Sequence, residues 1–118
     1  MYELMVEDVF SAAHQLVGYK GECERLHGHT FKVQVFIRSE KLKAEGFVLD
    51  FHDIAEKLKK VLGEFDHKHL NELSYFKNIN PTSENLAKLI FEKMKKIIAE
   101  TSKVMVWESP DTSASYYL

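Results

Sequence analysis

The chain has 118 residues, with sixteen basic against eighteen acidic side chains and a formal charge of −2. That length is one domain with room for a modest core, and the charge excludes non-specific nucleic-acid binding, which needs a basic face. No apolar stretch approaches a membrane span, the opening MYELMVEDVF has neither a basic leader nor an apolar signal core, and a single cysteine cannot form an internal disulfide, so a reducing cytoplasm is expected.

Tyr2 to Phe10 reads as a strand, because Leu4, Val6 and Phe10 share a parity that Asp8 interrupts. Ser11 to Leu26 follows neither the helical nor the strand period and contains Gly18 and Gly21. A loop that long in so small a domain is uncommon unless it is functional. From His27 the pattern sharpens. Phe31, Val33, Val35 and Ile37 alternate with mostly polar residues to about Arg38, a half-buried strand. Ser39 to Gly46 is a polar connection and Phe47 to Phe51 a short extended segment. Asp53 is expected to open a helix, with Glu56 as its capping-box partner. Ile54, Leu58, Val61, Leu62 and Phe65 then trace an apolar stripe. Asp66-His67-Lys68-His69 and a polar loop lead to Pro81-Thr82-Ser83-Glu84-Asn85, a second helix start with a hydroxyl cap and an acid in its first turn. Leu86, Leu89, Ile90, Met94, Ile97 and Ile98 mark the stripe of that helix, which frays near Glu100-Thr101. Lys103 to Glu108 alternates again, Ser109-Pro110-Asp111 turns, and Thr112 to Leu118 makes a last strand. The order is ββααββ, an α+β domain with a four-stranded antiparallel sheet and both helices on one face. Its open edges invite assembly.

Carried backwards, the parity of Phe31 includes His29 and His27. Residues at i and i+2 of a strand lie about 6–7 Å apart at Cα and point the same way. Two imidazoles so placed converge on one ion, and His14 can supply a third nitrogen. Three histidines with an open fourth position make a catalytic zinc site, although iron, nickel and copper also accept imidazole. Cys23, four positions before His27, is either a fourth ligand closing a structural site or a thiol whose pKa the cation lowers, available as base or nucleophile. Asp66 can orient His67 for acid–base work, and nearby His69 competes for that role. Glu108 ends an apolar strand face as a carboxylate able to grip a ligand edge bidentately.

His14, Cys23-x-x-x-His27-Gly28-His29, Asp66-His67, Pro81-Thr82-Ser83-Glu84-Asn85 and Trp107-Glu108-Ser109-Pro110 together resemble the 6-pyruvoyl-tetrahydropterin synthase superfamily. The resemblance covers nearly the whole chain. The cysteine spacing looks like that of its 6-carboxytetrahydropterin synthase branch in queuosine biosynthesis, since the 6-pyruvoyl branch has a longer one. The resemblance implies the tunnelling fold, a homohexamer of two stacked trimers with active sites at subunit interfaces, and 7,8-dihydroneopterin triphosphate as substrate. It implies zinc on His14, His27 and His29, with Cys23 as general base and Asp66 with His67 as proton relay. It further implies that Glu108 grips the pterin edge and that Thr82, Ser83 and Glu84 form a second pterin contact. Lys20, Arg25 and Lys68 are candidates for the triphosphate. Alternatives are the pyruvoyl product without carbon–carbon cleavage, or a zinc- or pterin-binding module with no activity.

Overall fold

The computed structural model describes residues 1–18 and 25–118. Four strands, β1 (Tyr2–His14), β2 (His27–Ser39), β3 (Thr101–Ser109) and β4 (Thr112–Tyr117), pair antiparallel in the order β1-β2-β3-β4. Helices α1 (Phe51–Leu62) and α2 (Ser83–Ile97) lie between β2 and β3 in the chain. Single 3-10 turns at Leu70–Glu72 and Ser74–Phe76 join the helices. This is the expected ββααββ order, with the helices on the sheet face that carries the core.

The inner face of the sheet is built by the parity rule. On β1 it presents Leu4, Val6, Asp8, Phe10, Ala12 and His14; on β2, His27, His29, Phe31, Val33, Val35 and Ile37. Val104 and Val106 of β3 continue it, paired with Val35 and Val33. Phe10 and Phe31 stack with ring centroids 5.0 Å apart and Phe65 leans on Phe10. Ile54 and Leu58 of α1 and Leu86, Ile90 and Met94 of α2 close the core from above with no exposure.

Several boundaries differ from expectation. β1 does not stop at Phe10; it runs to His14, and its register with β2 is unbroken from Tyr2↔Ser39 to His14↔His27. Small Ser11, Ala12 and Ala13 hid the alternation, because their hydropathy barely differs. Phe51, expected to end the extended segment, is instead the first residue of α1. The α1 cap is Asp50, not Asp53, and Glu56 closes no capping box. Asp50 holds an extended backbone and its carboxylate accepts from His52 N at 2.8 Å, which a residue already inside the first turn cannot do. α2 ends at Ile97, which is exposed, whereas Ala87 and Phe91 join its buried stripe. β3 starts at Thr101, and Leu118 lies exposed beyond β4. Among the described residues no helix is long and apolar enough to cross a membrane.

Candidate metal centre and active site

Antiparallel pairing decides the site. Because His14 lies opposite His27 and Ala12 opposite His29, the imidazoles of both strands emerge on one face, where the core runs out beyond Phe10 and Phe31. The Phe31 ring is the floor, with the His14 and His29 rings standing nearly edge-on to it at 5.5 Å. His14 Nε2 and His27 Nε2 are 3.1 Å apart. Ligand atoms of His14, His27, His29 and Glu108 all lie within 4.8 Å of one another.

The tautomers follow from the partners. His14 Nδ1 lies 2.7 Å from the buried Pro81 carbonyl, and His27 Nδ1 lies 2.6 Å from the Arg25 carbonyl. A carbonyl only accepts, so both Nδ1 atoms carry the proton and both Nε2 atoms present lone pairs. Two lone pairs facing at 3.1 Å repel unless a cation sits between them. A proton is disfavoured there: burial holds the His14 imidazole below its ordinary value, against the Pro81 carbonyl, which favours the charged ring. His29 Nε2 is 2.9 Å from Glu108 Oε1, yet it is buried and makes no aligned hydrogen bond. Nitrogens bound to zinc at about 2.0–2.1 Å in a tetrahedron are about 3.3 Å apart. The donor set, its fixed tautomers, its close spacing and its orphaned nitrogen therefore fit a metal ion. The carbonyl bonds behind the ligands are the outer support that metal-binding histidines usually have.

Glu108 is where the structure adds to the sequence. It was expected as a ligand anchor, and its carboxylate also joins the histidine cluster. Its Oε2 accepts from Ser83 Oγ at 3.1 Å, so the start of α2 and the end of β3 meet at the site. Thr82 is occupied as the α2 cap, accepting from Asn85 N. Glu84 is exposed in the first turn, and among the described residues it makes no hydrogen bond or ion pair.

Asp66 and His67 do form a pair, with Asp66 Oδ2 3.0 Å from His67 Nδ1. Asp66 Oδ1 accepts from Ser11 N at 2.9 Å, and this backbone N–H is the main cause holding the carboxyl below its ordinary value. His67 sits in the left-handed region with φ 59° and returns its own N–H to the Ser11 carbonyl. The pair is thus strapped to the free edge of β1, with the His67 ring 80 % exposed. Among the described residues no bond links it to the histidine cluster. His69 faces Glu72 rather than Asp66, at 3.4 Å. Cys23 and Lys20 lie outside the described residues; Arg25 and Lys68 are exposed.

The family model described as 6-pyruvoyl tetrahydropterin synthase matches residues 3–118. The chain is 41% identical to an Archaeoglobus fulgidus protein named "Putative 6-carboxy-5,6,7,8-tetrahydropterin synthase", over 86% of this chain and 84% of that one. It is 34% identical to a Synechocystis sp. protein named "6-carboxy-5,6,7,8-tetrahydropterin synthase", over 99% and 94%. The solved Caenorhabditis elegans 6-pyruvoyl tetrahydropterin synthase superposes with a TM-score of 0.91 at 30% identity, covering 99% of this chain and 95% of that one. Matched end to end in sequence and in fold, with its histidine cluster in place, the chain belongs to the 6-pyruvoyl tetrahydropterin synthase family.

Proposed function

We propose that the chain is a zinc-dependent carbon–carbon lyase of 7-deazapurine (queuosine or archaeosine) biosynthesis, acting as a cytoplasmic homohexamer. It converts 7,8-dihydroneopterin triphosphate and water into 6-carboxy-5,6,7,8-tetrahydropterin, acetaldehyde and triphosphate. The observation that carries this reading is the convergence of the His14, His27 and His29 nitrogens beside Glu108. Relatives named for the carboxy product at 41% and 34% identity support the branch.

His14, His27 and His29 would hold the zinc, which when bound supplies Lewis acidity toward side-chain hydroxyls of the substrate. Glu108 takes the amino and imino edge of the pterin with its carboxylate, and Ser83 keeps that carboxylate turned to the site. Thr82 and Glu84 line the same segment. Cys23, as thiolate, removes a side-chain proton, and His67, oriented by Asp66, delivers one elsewhere. The carbon–oxygen bond to triphosphate breaks with its electron pair leaving on oxygen. A carbon–carbon bond of the side chain then breaks, releasing the two-carbon aldehyde, and water supplies the second carboxylate oxygen. The ring gains its two hydrogens from the substrate's own side chain, so no external reductant enters. The resemblance implies that the Asp66–His67 pair and the histidine cluster are brought into one site at a subunit interface.

The pyruvoyl reaction remains the second reading, favoured by the superposition on the Caenorhabditis elegans protein. Incubating zinc-loaded protein with 7,8-dihydroneopterin triphosphate separates them. Acetaldehyde with an equal amount of carboxypterin is expected. Triphosphate without acetaldehyde gives the pyruvoyl branch, and zinc binding with no turnover gives a binding module instead.

A further inference from the structure

The edge of β1 is paired by an unusual partner. Outward-facing backbone groups of an edge strand recur every second residue, and toward the His14 end of β1 three of them meet partners from residues 66–68. Ser11 N donates to Asp66 Oδ1 and Ser11 O accepts from His67 N. Ala13 N donates to Lys68 O. Past the end of the strand, the series continues on two asparagine side chains. Asn71 Oδ1 accepts from Gln15 N at 3.0 Å while its Nδ2 donates to Gln15 O at 2.9 Å. Asn80 Oδ1 accepts from Val17 N at 2.8 Å while its Nδ2 donates to Val17 O at 3.0 Å. A primary amide presents one donor and one acceptor side by side, as a peptide unit does. The two amides therefore extend the ladder to Gln15 and Val17, which no strand among the described residues pairs with on that side.

His14 sits inside this clamp. Its backbone is held from the next residue by Asn71 and from three residues on by Asn80. Its imidazole is held by Pro81 O, the carbonyl adjacent to Asn80. Asn80 is itself fixed, because its carbonyl accepts from Asn85 Nδ2 at 2.8 Å. Residues 80–85 thus reach both ends of the cluster, His14 through Pro81 and Glu108 through Ser83.

We infer that Asn71 and Asn80 are positioning residues of the metal centre, which hold the β1 end so that His14 Nε2 meets the nitrogens of His27 and His29. This rests on the metal-site reading proposed above. Neither asparagine offers the ion a ligand; each acts through His14. Loss of outer-shell support typically weakens metal binding by about 10–100-fold. Coupling is reciprocal, so a bound ion must also tighten the clamp.

The test uses the full chain with Asn71→Ala and Asn80→Ala. Zinc affinity is read by competition with a chromophoric chelator, and ligand geometry by the visible spectrum of the cobalt-substituted protein. Each variant is expected to bind zinc at least about tenfold more weakly with an altered cobalt spectrum. A merely structural role would lower stability and leave both readouts of the folded protein unchanged, and that result overturns the inference. Should an alanine variant fail to fold, Asn71→Asp and Asn80→Asp keep the acceptor, remove the donor and are read in the same way. In the unaltered protein, hydrogen exchange at the Gln15 and Val17 amides should slow on zinc addition; equal rates with and without zinc also overturn it. A wild-type chain that binds no zinc instead defeats the metal-site reading itself.

Discussion

His14 and His27 face each other across two strands and offer equivalent nitrogens, yet removing them should have unequal consequences for the metal-free fold. His14 is 2% exposed, its Nδ1–H is bonded to a buried carbonyl and its ring stands on Phe31. His14→Ala leaves Pro81 O unpaired away from water, which costs roughly 1–3 kcal/mol. It also removes an aromatic contact worth about 0.5–1.5 kcal/mol. The sum is about 1.5–4.5 kcal/mol. His27 is only half-buried, and its bond to Arg25 O is solvent-exposed, so water replaces it in His27→Ala at a cost within about 0.5–1 kcal/mol. Urea unfolding in chelator, at one fixed chain concentration because assembly shifts stability, should separate the midpoints by roughly 1–2 M. Zinc at about 100 times its dissociation constant should add about 2.7 kcal/mol to the wild type and little to either variant. Midpoints within about 0.3 M of each other would refute the burial argument. Stabilisation by zinc that survives both substitutions would refute the shared site.

Other outcomes follow from the same geometry. The His14 imidazole is held below its ordinary value of 6.5, chiefly by burial, so the unfolded chain takes up that proton first as pH falls. Metal-free stability should therefore be full above about pH 6.5 and decline through the window below it, measured as urea midpoints at about pH 8 and pH 5.5; a midpoint that rises toward acid contradicts this. Glu108→Ala should raise the KM for the pterin substrate about tenfold or more while leaving zinc affinity within about twofold, since charge-assisted bidentate bonds are lost but the histidines remain. A tenfold or larger loss of zinc affinity, seen in a chelator competition, would make Glu108 a ligand instead. Cys23→Ala should keep zinc and lose at least about 100-fold in kcat, and retained turnover removes Cys23 from the mechanism.

The fold was legible where side chains differ strongly along the chain. Phe31 to Ile37 could only be a strand with a buried face, and the Ile54-Leu58-Val61-Leu62 and Leu86-Ile90-Met94 stripes could only be helices. The first strand was cut short because Ser11-Ala12-Ala13 is nearly flat in hydropathy, although His14 shares the parity of Phe10 and that clue was present. The histidine cluster was legible because His27 and His29 ride on the parity of Phe31. Glu108 as its neighbour was not, because proximity to the histidines depends on the β2–β3 register, a long-range fact. Asn71 and Asn80 were invisible for a related reason. An asparagine in a polar loop signals a turn locally, and only the folded chain shows that its amide meets a backbone more than fifty residues away. The structural duty of Asp66 toward Ser11 N was hidden likewise.

The most direct measurement is a zinc titration of chelator-stripped protein in the presence of 7,8-dihydroneopterin triphosphate, following acetaldehyde. The account predicts no aldehyde without metal and a rate that rises linearly to a plateau at one zinc per chain. Undiminished acetaldehyde release from the stripped protein, or saturation with zinc and no acetaldehyde, would contradict it.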